Sequence, residues 1–175
     1  MKKIVLLSDT HAFCDDRIER HLEGCDEIWH SGDIGSMTVV NRLRQFAPLL
    51  AVHGNIDDMV MRHEFPKFQE FTCEGVAVMM THIGGFPGKY SSEAYNRIMT
   101  SGFLQREEKV RLFVCGHSHI LRVMYDKHFD FLTLNPGAAG LQGFHQVRTL
   151  LKFSLENGNI SDLDVVNIPR VINNE

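Results

Sequence analysis

At 175 residues the chain has the length of one ordinary domain, and it is read as a single domain over residues 1–175. Its 43% hydrophobic and 23% charged residues, with no repetitive or Pro/Gly-rich stretch, exclude a linker or low-complexity protein and predict order outside the last few residues. A net charge of −4 excludes the broad basic surface that an extended nucleic acid requires, and no stretch is long enough to span a membrane.

The apolar run at 4–7 is too short for a signal peptide, whose core needs roughly 7 to 15 residues. It reads as a buried strand ended by Ser8-Asp9-Thr10. Segment 15–22 reads as a helix, 27–30 as a strand running into Ser31-Gly32-Asp33, 37–46 as a helix, and 49–53 as a third strand stopping at Gly54-Asn55. A short polar segment follows, then strands at 68–73 and 76–80 joined by a Glu74-Gly75 turn, with His82 directly after them. Segment 91–108 is the longest predicted helix, and 112–115 is the strand that delivers Gly116-His117-Ser118-His119. From 120 onward come strands without helices, at 120–125, 129–134, 147–156 and 160–168, the last two joined by Asn157-Gly158, whose residues suit a type I′ hairpin turn. Alternating strands and helices followed by a meander predict a four-layer α/β/β/α sandwich of two mixed sheets flanked by helices. Cys14, Cys25, Cys73 and Cys115 form neither a CxxC pair nor an even framework, which predicts reduced thiols and a cytoplasmic location.

Asp9, Asp33, Asn55, His82, His117 and His119 each follow the end of a predicted buried strand, where ligand sites of α/β sheets form. Carboxylates, an amide and imidazoles without thiolate suit divalent ions such as manganese, iron or zinc. Two such ions against Asp9 and Asp33 leave a net positive site for an anionic phosphate. Two metals roughly 3.5 to 4 Å apart also acidify a water and clamp both oxygens of an in-line displacement.

Asp9-Thr10-His11, Gly32-Asp33, Gly54-Asn55, His82 and Gly116-His117-Ser118-His119 resemble, in order and spacing, the five blocks of the calcineurin-like metallophosphoesterase superfamily. The short length and Asn135-Pro136-Gly137 look like its small bacterial and archaeal phosphodiesterase branch. The resemblance implies two divalent metal ions, manganese first, with iron, zinc or nickel as alternatives. It implies that Asp9, His11, Asp33 and His119 hold one metal, and that Asp33, Asn55, His82 and His117 hold the other. A metal-bridging hydroxide would attack phosphorus in a small phosphodiester, with Asn55, His82 and His117 orienting the phosphate. A membrane partner is not expected, and a homo-oligomer is left open.

Many superfamily members carry a histidine directly after this asparagine, but here the residue is Ile56, which cannot donate a proton. His53 is the nearest alternative acid. Ala12-Phe13 replaces a glycine common in the small branch, so a narrower or more apolar rim is expected. The loop 83–90 carries two aromatics and a lysine that either grip an organic leaving group or pack the loop down. Asp57 either orients a ligand histidine or opens a helix.

Each block alone has a plainer reading. Asp9 can cap a helix, Asp33 and Asn55 can be turn residues, and a lone His117 or His119 is more often a surface group. Gly116-His117-Ser118-His119-Ile120 lacks the last glycine of a nucleophile elbow, and His63-Glu64-Phe65-Pro66-Lys67 lacks the second histidine of a zinc-protease helix. The alternative from another class is a catalytically inactive protein-binding scaffold of the same fold, as in the retromer subunit that resembles this branch. Loss of ligands would mark it, and all seven are present.

Overall fold

Residue alternation along β1 (Lys2–Leu7) sets out the layers. Ile4 and Leu6 point into the space between two sheets, while Val5 and Leu7 point to the helices outside. The computed structural model describes residues 1–170, and the sequence-based expectation for the last few residues lies outside that range. After β1 come α1 (Asp16–Leu22), β2 (Glu27–His30), α2 (Met37–Leu43), β3 (Leu49–Ala51), α3 (Met59–Glu64), β4 (Phe68–Cys73) and β5 (Val76–Thr81). A small hairpin, β6 (Gly85–Phe86) and β7 (Lys89–Tyr90), precedes α4 (Ser92–Thr100), and β8 (Arg111–Val114) follows a short 3-10 turn. The chain then forms β9 (Leu121–Asp126), β10 (Phe131–Pro136), β11 (Val147–Glu156) and β12 (Asn159–Pro169).

One sheet has the order β12-β11-β1-β2-β3 and the other β4-β5-β8-β10-β9. In the first, β1, β2 and β3 are parallel; in the second, β5, β8 and β10 are parallel, and the remaining neighbours are antiparallel. Trp29, Val78, Met80, Leu112, Val114 and Phe153 fill the space between the sheets. Ile18, Leu22, Val39, Val40 and Leu43 bring α1 and α2 onto the outer face of the first sheet, and Ala94 and Ile98 bring α4 onto the second. Full burial of one such large apolar side chain contributes about 1.5–3 kcal/mol. The architecture is the α/β/β/α sandwich, with β1 and β2 of the first sheet and β5 and β8 of the second apolar on both faces because both faces are covered.

Each of the four α-helices among the described residues starts on a side-chain cap: Asp15, Ser36, Asp58 and Ser91 accept from the backbone N–H groups of Ile18, Val39, Met61 and Ala94. Both predicted hairpin turns carry two residues of positive φ, Glu74-Gly75 at 50° and 77° and Asn157-Gly158 at 49° and 76°.

Several expectations are corrected. The long helix predicted at 91–108 ends at Thr100, because Gly102 turns left-handed at φ 85°. The helix predicted at 37–46 stops at Leu43, and the strand predicted at 49–53 covers only Leu49–Ala51. The polar segment after Asn55 contains α3, hidden in the sequence because it buries only Met61. The late strands do not form one meander: β9 and β10 join the second sheet, and β11 and β12 cross over to the first.

Candidate metal centre

Strands β1, β2 and β3 of one sheet and β5 and β8 of the other end at a common rim, and their loops are stitched together by backbone hydrogen bonds. Asp9 N–H donates to Gly32 O at 3.0 Å, His11 N–H to Asp33 O at 3.0 Å, and Gly116 N–H to His82 O at 2.9 Å. Glycines allow this approach: a Cβ on Gly54 would lie 2.0 Å from Asp33 Oδ1, and one on Gly116 would lie 2.0 Å from Ser8 Oγ. Among the described residues ten non-glycine residues have positive φ, and five of them are Asp9, His11, Asp33, His117 and His119. Backbone strain is therefore concentrated in the loops that carry the predicted ligands, as is common at functional sites.

All seven predicted side chains meet at this rim. Asp9, His11 and His119 form one triad and Asp33, His82 and His117 another, with the ligand atoms of each triad within 4.8 Å of one another. Asn55 Oδ1 lies 3.1 Å from His82 Nε2. Each carboxylate has one structural oxygen and one that faces the centre. Asp9 Oδ2 accepts from His117 N–H at 3.1 Å, while Oδ1 lies 3.1 Å from His119 Nε2 and 3.7 Å from His11 Nε2. Asp33 Oδ1 accepts from Ile56 N–H at 3.0 Å, while Oδ2 lies 3.2 Å from His82 Nε2 and 3.7 Å from His11 Nε2. Asp33 Oδ2 thus faces both triads.

These residues fit a pair of divalent cations. Asp9 Oδ1 is buried and has no hydrogen-bond partner, a costly state for a carboxylate oxygen unless a cation meets it. His82 Nδ1 donates to Ser31 O at 2.8 Å, which turns Nε2 toward the centre, the orientation of a ligating imidazole. His11 and His119 bring their Nε2 atoms within 3.3 Å of each other, as two ligands of one ion do. The field is strongly negative: the neighbouring Asp9 carboxylate raises the His119 imidazole above its ordinary value, and Asp33 and Asp9 raise His82 against the opposing effect of burial. Burial alone would raise the Asp9 carboxyl, but His11, His119 and His82 hold it below the usual range.

The sequence matches the model of the calcineurin-like phosphoesterase superfamily domain over residues 1–158. The chain belongs to that superfamily. No curated protein matches it. Among solved structures it is similar to Vps29 complexed with zinc from Entamoeba histolytica, with a TM-score of 0.67 and 15% identity, covering 97% of this chain and 99% of that one. It is similar to Thermotoga maritima protein TM1076, with a TM-score of 0.67 and 22% identity over 96% of this chain and 100% of that one. It is also similar to YfcE, a phosphoesterase from E. coli, with a TM-score of 0.59 and 19% identity over 95% and 99%.

Around this candidate centre the structure adds residues that the sequence left without a role. His30 is fully buried, and burial pushes its imidazole down to about 4, so it is neutral. Its Nδ1 accepts from Gly32 N–H at 3.2 Å, so Nε2–H donates to Thr10 Oγ1 at 3.0 Å, and Thr10 donates on to Ile34 O at 3.0 Å. This chain joins the Asp9 loop to the Asp33 loop. Asn135 plays the same part for Gly116 and Ser118, donating at 2.9 and 3.2 Å. His145, also without a predicted role, packs edge-on against His119 at 5.4 Å between ring centres. Asp57 corrects both expectations: it neither hydrogen-bonds a ligand histidine nor opens α3, which Asp58 caps. Instead it accepts from the backbone of Gly54, Ile34 and Gly35. No periodicity signals these roles, because every one is a contact between separate loops.

The departures from the superfamily pattern are also visible. Ile56 is 47% exposed beside Asn55. His53 Nδ1 lies 3.2 Å from Gly54 O, which occupies that nitrogen. Tyr90 donates to Asp126 and packs against Phe113, Phe129 and Phe131, so it holds the loop 83–90 down. Phe86 lies under the Arg122 guanidinium at 4.0 Å.

Proposed function

We propose that the chain is a phosphodiesterase that depends on two divalent cations, one held by Asp9, His11, Asp33 and His119 and the other by Asp33, Asn55, His82 and His117. The observation that carries this reading is Asp33 Oδ2, which lies within 3.7 Å of an imidazole from each set while Asp9 Oδ1 lacks any hydrogen bond. Two such cations would polarise a phosphoryl oxygen and acidify a water for in-line attack. Manganese is the first expectation, with iron, zinc or nickel as alternatives. The chain's own part is positioning. His30, Thr10 and Asp57 fix the loops, and His82 presents Nε2 because Ser31 O holds Nδ1. Asn55 directs Oδ1 toward His82, which leaves its amide N–H groups for a phosphoryl oxygen, and exposed His117 borders the same space. Ile56 donates no proton, so the leaving group takes its proton from water or departs unprotonated. The four unpaired thiols agree with a reducing, cytoplasmic setting.

Hydrolysis of a chromogenic phosphodiester with added manganese tests the reading. The parent should turn over only with metal, and Asp33→Asn should lose about 10³-fold, or about 4 kcal/mol of barrier lowering. Metal-dependent turnover absent from the parent would favour the protein-binding scaffold. Across a series of aryl diesters the rate should fall steeply as leaving-group pKa rises, and a flat dependence would sink the water-protonation step.

A further inference from the structure

Among the recesses beside the proposed centre, which include one of about 260 Å³ between His117 and the 83–90 loop, the smallest and the largest also differ in lining. Next to Asn55 and His82 is a pocket of about 110 Å³ that includes His53, Arg62 and Lys67. Next to His117 and His119 is a cleft of about 810 Å³ with Ile120, Leu121, Phe144 and Val147 in its wall. The larger volume falls within the roughly 300–1,000 Å³ of small-molecule sites. Three of its apolar side chains stand in solvent, with Phe144 100% exposed, Ile120 52% and Val147 43%. Single exposed apolar residues are ordinary, but a contiguous group beside a polar centre marks a binding surface.

The loop that carries Phe144 is held in place. Arg170 donates to His145 O at 2.6 Å and to Leu141 O at 2.8 Å, and the His145 ring lies 3.0 Å from Gly140 O. Gly143, at φ 106°, packs so tightly on His119 that a Cβ there would lie 2.3 Å from its Nδ1. Phe144 is therefore presented by a pinned loop that touches one of the predicted ligands.

We infer that this cleft receives one ester arm of the substrate, a large apolar group, while the small basic pocket admits only a compact arm. The inference rests on the phosphodiesterase reading above, since it assigns the two arms of a diester to the two sides of that centre. An aromatic ring and an alkyl chain share this chemistry, and the probes separate them.

The test is calorimetric binding of dimethyl, methyl phenyl and methyl octyl phosphate to manganese-loaded protein, which does not depend on turnover. Methyl phenyl or methyl octyl phosphate should bind about tenfold tighter than dimethyl phosphate, a difference of about 1.4 kcal/mol. The Phe144→Ser/Val147→Ser double variant should bring the affinities together, and thermal melting checks that it folds. Equal affinities in the parent, or a preference that survives the double variant, would overturn the subsite. A double variant that changes only the oligomeric mass assigns the face to a second copy of the chain and also overturns it. Preference for the large arm without metal-dependent hydrolysis of any diester would sustain the subsite and sink the phosphodiesterase reading.

Discussion

Asp57 and Asp9 are equally hidden, at 3% and 0% exposure, yet their oxygens are used in opposite ways. Asp57 accepts from three backbone N–H groups, Gly54 and Gly35 at 2.7 Å and Ile34 at 3.2 Å, so both oxygens are consumed inside the fold. Asp9 accepts from His117 N–H through Oδ2 and leaves Oδ1 without a hydrogen bond, facing imidazoles. Asp15 belongs with Asp57: it takes both arms of the buried Arg148 guanidinium at 2.9 and 2.8 Å and caps α1. Saturated carboxylates build the frame, and the unsaturated one marks the candidate ligand position.

Substitutions can break or sharpen that contrast. The largest loss of stability is expected for Asp15→Ala, which strands the Arg148 charge in a buried position and costs about 3–5 kcal/mol by chemical denaturation. Acid should erase part of the same contribution. Burial would raise the Asp15 carboxyl, but Arg148 and the Ile18 N–H hold it below its ordinary value. Its folded-state value is depressed, so its stabilisation is present above the unfolded value and lost as pH falls through the folded one. The gap between parent and Asp15→Ala should therefore narrow below about pH 4, and a gap that widens would reverse the assignment. Next in size, manganese at about 100 times its dissociation constant should stabilise the parent by about 2.7 kcal/mol and leave Asp9→Asn nearly unmoved. Equal stabilisation of both proteins would remove Asp9 from the centre. Without metal, Asp57→Asn should lose about 1–3 kcal/mol through unsatisfied backbone N–H groups, and Asp9→Asn should lose less. The reverse order would erase the distinction between frame and open position.

The open position was legible in the sequence because it depends on local order: each predicted ligand follows an apolar run, and β1, β2, β3, β5 and β8 deliver them as those runs imply. The sandwich was legible for the same reason, since runs buried on both faces require cover on both faces. The frame was not. Asp57 meets Ile34 and Gly35 across more than twenty residues of chain, and His30 meets Thr10 across twenty. Nothing in the spacing of a lone buried Asp or His names such partners. The apolar cleft was hidden in the same way, because Phe144 and Ile120 lie in separate loops and become neighbours only through the crossover from β10 to β11.

The smallest expected effect concerns backbone strain at the rim. Ala12 stands at φ 62° directly after His11 at φ 47°. The left-handed conformation costs a non-glycine residue roughly 1–2 kcal/mol. Ala12→Gly relieves that cost but also frees the unfolded chain by roughly 0.4–1 kcal/mol, so a net gain of about 0.5 kcal/mol is expected in metal-free protein. Ala12 makes a backbone hydrogen bond to Ile34 O at 2.8 Å that the substitution keeps, so the frame should be unchanged. Turnover then decides what the strain does. If glycine stabilises the protein and lowers the rate, the stiff left-handed pair holds His11 against the centre. If stability rises and the rate is untouched, the strain is a by-product of the turn. A destabilised Ala12→Gly would show that the alanine methyl is packed into the rim.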